Sequence, residues 1–426
     1  METPFRPGDV QRLFQVGLNV ARGFQSSVFL GSGRKLGRTS VLRQLYHRLR
    51  REQEKVIPFL YAAPPSSKAV EGFLYDYFQQ IFFQFLDYHR RDRHGGRSIG
   101  FDASQMLPLA YETHFAWLVD LVRQYHLLLK NRDVTGLIKL AIRFPESAAV
   151  NSGLYAFVLM DDFHHLDQLT PPSDLAVLKS ELRLAMESRR APFLLSGTSR
   201  PTFRRLYPLG ELFSFLEPIF LKPLEFSEAL RLFEGQCEEQ DVAWDPLISS
   251  FIVDQLHKNP YYLYLVARAT KFNVTGLRAP RRFAELYVQE IIQGSLHQYF
   301  SGLLHEVMGG PEEFVRAIEL VEATSRMSGP CPFMQLREEQ KTLCAVGMEP
   351  ILTKLDDVGL IDFHNGIVTP LPDRVLYDWV SWNAEHRIRR RGLAQVNFDL
   401  VSELLRQCES LKTGKKVGTL TKLERR

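Results

Sequence analysis

The sequence predicts an α/β chain: a parallel sheet covered by helices, then a helical region, then a small helix-and-hairpin unit. Three observations carry that expectation. Over residues 24–224, compact apolar runs bounded by turn or charged residues alternate with longer helical segments, as strands of a doubly covered sheet do. After Leu224 the strand signals fade and helical periodicity takes over. Finally, residues 359–368 read as two short strands around Asn365-Gly366, a dipeptide suited to the positive-φ hairpin turn. A length of 426 residues suits two or three domains. We place them at 1–225, 226–305 and 306–385, with a basic helix and tail over 386–426.

In chain order, the candidate strands are 27–30, 56–62, 155–160, 192–196 and 218–221. The first leads into a helix, 41–52, with Leu42, Leu45 and Leu49 on one face. Between the second and third strands lie an aromatic-rich helix (73–88), a basic loop (90–97), a helix over 114–130, and a short helix with a loop over 131–153. The aromatics Phe73, Tyr75, Tyr77, Phe78, Phe82, Phe83 and Phe85 read as core, because base-stacking platforms interleave their rings with basic residues. Helical periodicity resumes over 227–239 and 245–270. A helix over 310–325, a break at Pro330 and Pro332, a polar helix, a helix over 349–358 and the hairpin together spell a winged helix-turn-helix. Residues 410–426 read as a flexible tail.

Composition narrows the classes. Hydrophobic residues at 45% and charged residues at 24% match globular averages and argue against disorder. The 53 basic and 49 acidic side chains leave a net charge of +4, too small to indicate nucleic-acid binding by itself. The start shows no secretory pattern and no stretch approaches about 18 uncharged apolar residues, so a cytoplasmic protein without membrane contact is expected. Cys237, Cys331, Cys344 and Cys408 are scattered without a Cys-x-x-Cys pair and read as reduced thiols. His164, His165 and Asp167 read as a solvated loop, since no further ligands follow at zinc spacing.

Three segments carry chemistry. Ser32-Gly33-Arg34-Lys35-Leu36-Gly37-Arg38-Thr39-Ser40 joins the first strand to a helix, the context in which a glycine-containing loop wraps a polyphosphate. Against Gly-x-x-x-x-Gly-Lys-Ser/Thr, Gly37 and Thr39 fit, whereas Ser32 replaces the first glycine and Arg38 the lysine, a degenerate Walker A motif. Flanking Gly31 and Gly33 are expected to supply the backbone freedom Ser32 lacks. Thr39, with Ser40 as the alternative, offers a hydroxyl to Mg²⁺. The strand Tyr155-Ala156-Phe157-Val158-Leu159-Met160 ends in Asp161 and Asp162, a Walker B pattern: Asp161 to hold Mg²⁺, Asp162 to orient or deprotonate the attacking water. A third strand ends in Ser196-Gly197-Thr198-Ser199; Thr198 is the candidate sensor of the γ-phosphate, ahead of Arg200, Arg204 and Arg205.

The order of these segments, followed by Leu221-Lys222-Pro223-Leu224 and Glu228-Ala229-Leu230, resembles the archaeal-type ATPases of the STAND branch of AAA+-like P-loop NTPases. Lys258-Asn259-Pro260-Tyr261 is similar to the Gly-x-Pro lid motif of that family, with Lys258 at the glycine position. The resemblance implies that Pro260 and Tyr261 lie against the base of ATP or ADP, that Mg²⁺ accompanies it, and that a winged helix follows. Three readings result: a nucleotide-dependent switch with slow hydrolysis, a nucleic-acid-binding regulator on a catalytically dead P-loop scaffold, and a protein-interaction adaptor. In the helix at 349–358, Glu349, Asp356 and Asp357 oppose Lys354 alone, so the winged helix is expected to pack on the ATPase core or on a protein partner, self-association being a further expectation for the chain. Nonspecific nucleic-acid contact is expected from Arg387, Arg389, Arg390, Arg391 and the tail over 412–426.

Overall fold

The computed structural model describes residues 5–63, 69–90, 103–113, 115–197, 216–270, 276–327, 329–339 and 347–412. They fall into two compact units, one built from the described residues of 4–33 and 37–221, the other from those of 34–36 and 222–426.

The first unit is a five-stranded parallel sheet. Its strands are β1 (Val28–Ser32), β2 (Val56–Ala62), β3 (Tyr155–Asp161), β4 (Phe193–Gly197) and β5 (Glu217–Leu221), in the order β2-β3-β4-β1-β5. Each predicted strand is present within about two residues. Alternation along the strands divides the apolar side chains between two cores. Val28, Leu30, Phe157, Leu159 and Leu194 meet helices α1 (Pro7–Val20) and α2 (Arg38–Glu52), through Val10, Leu13, Val41, Leu42, Leu45 and Leu49. Phe29, Val158, Met160 and Leu195 face the opposite core with α3 (Val70–His89), α5 (Ala116–Asn131), α6 (Val134–Asn151) and α7 (Pro172–Met186); a short helix, α4 (Met106–Glu112), adds Met106 and Ala110. With both faces covered, β1, β3 and β4 are buried at nearly every position.

The aromatic segment of α3 is core, as expected: Phe73, Tyr77, Phe78, Phe82 and Phe85 are fully buried, and Phe78 stacks at 4.3 Å from Tyr125, ring centre to ring centre. Tyr75 alone among the seven is exposed. Two expectations need correction. No element was anticipated before residue 24, yet α1 is there, its Pro7 at the first helical turn. Most of 131–153 is one continuous 18-residue helix, Val134–Asn151, rather than a short helix and loop: the Asp133 side chain caps it by accepting from the Gly136 amide, and Leu137, Ile138, Ala141, Ile142, Ala148 and Ala149 supply a buried stripe that carries it through Pro145.

The second unit is mainly helical. Helices Phe226–Glu239, Pro246–Gln255, Pro260–Thr270, Pro280–Ile292 and Ser295–Val307 are followed by Pro311–Ser325, Phe333–Glu339, Met348–Asp357, Arg374–Asn383 and Leu393–Lys412. A small antiparallel sheet, β6 (Cys331–Pro332), β7 (Asp362–His364) and β8 (Ile367–Thr369), has the order β6-β8-β7. The expected hairpin is in place, Asn365 and Gly366 both with positive φ. Polar bonds cross the expected boundary near residue 305: the Tyr262 hydroxyl donates to Asp373 at 2.7 Å, and the Tyr287 hydroxyl and Gln255 amide donate to Asp378 at 2.7 and 3.0 Å. Among the described residues no helix is long and apolar enough to cross a membrane.

Candidate nucleotide site

The carboxyl ends of β1, β3 and β4 bring the site together. β4 pairs with both neighbours in parallel, Leu30 opposite Ser196 and Met160 opposite Leu195, so the strand ends finish at one edge. In open α/β sheets that edge is where ligands bind. Ser32, Asp161 and Ser196 therefore converge although up to 164 positions separate them in sequence.

Asp161 is almost fully buried and holds the edge together. It accepts from the Thr39 hydroxyl at 2.6 Å, from the Ser196 hydroxyl, and from the Asp162 amide at 3.0 Å. Thr39 and Asp161, predicted as the Mg²⁺ pair, are thus adjacent, and their hydroxyl and carboxylate oxygens are the hard donors that Mg²⁺ takes. Ser40 is exposed on the next position of α2.

Arg38 departs from the expected lysine role. Its side chain is buried and turns inward, where one guanidinium nitrogen donates to the Gly197 carbonyl and stands 3.5 Å from the Ser32 hydroxyl, and the other meets Asp162 at 3.0 Å. A forked cation can bridge two strands in this way; an ammonium on a linear stem has no second arm. Burial, reinforced by the charge of Asp161, pushes the Asp162 carboxyl above the usual range, with Arg38 opposing the shift.

The loop geometry also corrects the expectation for Gly31 and Gly33. Neither has positive φ; left-handed backbone falls on Lys35 (φ 59°) and Gly37 (φ 89°). Gly31 is required for space, since a Cβ there would lie 2.5 Å from the Phe220 ring. Gly37 is required twice, by its φ and because a Cβ would lie 2.4 Å from the ring of Phe5. Gly37 precedes α2 with no side-chain cap, which leaves the helix N-terminus suited to an anion. Leu36 is buried, Gly33 exposed and Arg34 half-buried.

Pro260 and Tyr261 open the helix Pro260–Thr270 in the second unit, where the Asn259 side chain accepts from the Tyr261 amide at 3.0 Å. Lys258 holds φ 53°, the left-handed backbone that a glycine would adopt more cheaply. Within that unit the Lys35 ammonium lies 4.9 Å from the centre of the Tyr261 ring. Thr198, Ser199, Arg200, Arg204 and Arg205 lie outside the described residues, as does Cys344. Of His164, His165 and Asp167, the last turns away to Lys179 at 2.5 Å, and Asp162 takes its place beside the histidines. Sequence reasoning missed Ser196 as the partner of Asp161, although a hydroxyl inside an apolar strand was its visible signal; Phe5 had none.

Of the basic groups expected to reach nucleic acid, Arg389 and Arg391 are engaged within the protein, as is Lys354 on the helix expected to pack against protein. Lys354 pairs with Glu313 at 2.6 Å; Arg389 pairs with Glu322 and Glu385, and Arg391 with Glu385 and Asp399. Residues 413–426 lie outside the described residues.

No family model matches the sequence, and no curated protein does. Solved structures do. The Walker-type ATPase PABY2304 of Pyrococcus abyssi is 14% identical, with a TM-score of 0.56 over 88% of this chain and 95% of that one. Cdc6p from Pyrobaculum aerophilum (15% identical, TM-score 0.38, covering 94% of each chain) and the Aeropyrum pernix Orc1 protein in complex with DNA (13%, 0.41, 91% of this chain and 95% of that one) are more distant. At these identities the likeness is one of fold, and the chain has the α/β fold of the P-loop ATPases with a helical C-terminal region.

Proposed function

We propose that the protein binds ATP or ADP with Mg²⁺ at the carboxyl edge of β1, β3 and β4 and acts as a nucleotide-dependent switch with slow turnover. The observation that carries this reading is the joining of Thr39 to Asp161, and of Arg38 to Asp162, beside an uncapped helix N-terminus. Backbone amides from Gly33 to Ser40 would take the phosphates, and Thr39 and Asp161 would hold Mg²⁺, which supplies charge neutralisation of the phosphates when bound. Pro260 and Tyr261 as base contacts, Thr198 as sensor, the STAND affiliation and the winged helix remain part of the proposal on the strength of the sequence motifs.

Slow turnover follows from two features of the chain. Asp162 is shorter than the glutamate usual at such positions, and its carboxylate is held by Arg38. A site built this way distinguishes nucleotide states better than it turns them over, and a switch needs only that difference. Calorimetric titration of the full chain with ATP and ADP tests the reading: binding of either nucleotide, tightened by Mg²⁺, is expected. Absence of heat with both at millimolar nucleotide would overturn it and leave a scaffold reading.

A further inference from the structure

Directly after β3 the chain builds a second constellation, which shares Asp162 with the candidate nucleotide site and adds two histidines that nucleotide binding does not use. Asp162 holds φ 50°, left-handed backbone that carboxylate side chains tolerate better than most, and it turns the chain into a 3₁₀ helix, Phe163–Gln168. In that helix residues three apart eclipse one another. Phe163 and Leu166, three apart, are both buried in the core under β3. With those two anchored, His164 and His165 are half-buried beside one another, their ring centres 4.1 Å apart. The left-handed turn brings the Asp162 carboxylate back to the same place, so that one donor atom from each of Asp162, His164 and His165 lies within 4.8 Å of the others.

We propose that Asp162, His164 and His165 form a binding site for a divalent transition-metal ion of the zinc, cobalt and nickel class. Imidazole nitrogen selects these ions over Mg²⁺, whose preference is for oxygen. Donors bound at zinc distances sit about 3.3 Å apart around a tetrahedral ion, a closure that small side-chain rotations achieve from the observed spacing. Two histidines and one carboxylate leave a coordination position for water, as in exchangeable rather than closed structural sites. The backbone that carries the donors is fixed by the buried strand on one side and by Phe163 and Leu166 on the other, so little ordering remains for the metal to impose. Arg38 is the opposing element. It holds one oxygen of Asp162 at 3.0 Å, and a bound cation must share that carboxylate with it or displace it.

The test uses no nucleotide, so its outcome is read separately from that of the nucleotide titration. The metal-stripped full chain is titrated with Co²⁺ without nucleotide, and the visible ligand-field absorption is recorded. One equivalent is expected to produce a saturating band of low-coordinate cobalt, displaced by Zn²⁺ and unaffected by millimolar Mg²⁺. His164→Gln and His165→Gln are each expected to weaken binding at least tenfold, and Arg38→Met to tighten it severalfold. No band with the parent protein, or a double histidine variant that binds as the parent does, would overturn the proposal. Zinc K-edge absorption of the loaded parent needs no variant: two imidazole shells are expected, and an oxygen-only shell would contradict the site.

Discussion

Two regions of the molecule handle charge in opposite ways. At the edge of the parallel sheet, Arg38, Thr39, Asp161, Asp162 and Ser196 come from α2, β3, the turn after β3 and β4 and meet at one point, with Arg38 and Asp161 nearly withdrawn from solvent. In the region that follows residue 311, Lys354 and Arg391 pair with carboxylates at the surface and Arg389 with the largely buried Glu322. The first arrangement keeps ionisable groups close together and partly desolvated, which costs folding free energy and is retained where a ligand must be met. The second neutralises these three basic groups in place. The comparison favours chemistry at the sheet edge and a packing role for the helix Met348–Asp357.

The comparison breaks first at Gly37. Replacement by alanine imposes left-handed backbone on a residue with a Cβ and drives that carbon into the Phe5 ring, at a combined cost on the order of 2–4 kcal/mol. A denaturant midpoint shift of that size with loss of ATP binding is expected; an unchanged midpoint would mean the loop adopts another path.

Next in size is Arg38→Ala, which leaves the Gly197 carbonyl and Asp162 without the guanidinium. Because Asp162 keeps a third of its side chain exposed, the cost should fall near 2 kcal/mol, below that for a fully buried pair. Nucleotide affinity should drop at least tenfold. Arg38→Lys combined with Asp162→Glu should instead raise turnover in a phosphate-release assay, and no gain there would refute the account of slow hydrolysis.

A smaller effect is expected from Asp378, whose carboxyl burial pushes up to about 6 while Tyr287 and Arg374 oppose the shift. Its unfolded value is near 3.9, so between roughly pH 4 and 6 the folded state holds the extra proton. Stability from this group is therefore greatest at the acid end, declines as pH rises through 6 and levels off above about 7. The midpoint should be higher at pH 5 than at pH 7.5, by about 1–2 kcal/mol, and Asp378→Asn should flatten that slope. Smallest of all is Lys354→Ala, where loss of a surface pair costs at most about 1 kcal/mol and DNA retention should be unchanged.

Much of this was legible in the sequence. Five apolar runs bounded by turn residues located the strands, and Asp161-Asp162 at the end of one of them located the edge, because a buried strand advertises itself by composition alone. The hairpin at Asn365-Gly366 was equally local. What escaped depends on partners distant in the chain or on backbone angles. The inward turn of Arg38 is set by the Gly197 carbonyl, 159 positions away, and by Asp162, 124 positions away. The left-handed backbone at Lys35 rather than Gly33, and at Asp162, is not written in residue type. Pro145 disguised a helix whose continuity comes from its buried stripe.

The central claim is that Asp161 and Thr39 form the metal-dependent part of a nucleotide site. Its most direct test is ATP affinity measured with and without Mg²⁺ for the parent and for Asp161→Asn, which removes the charge, keeps one acceptor oxygen for either Thr39 or Ser196 and turns the other position into a donor. The account predicts that Mg²⁺ tightens ATP binding at least tenfold in the parent and has little effect in the variant. Equal response to Mg²⁺ in both proteins, or none in the parent, would contradict it.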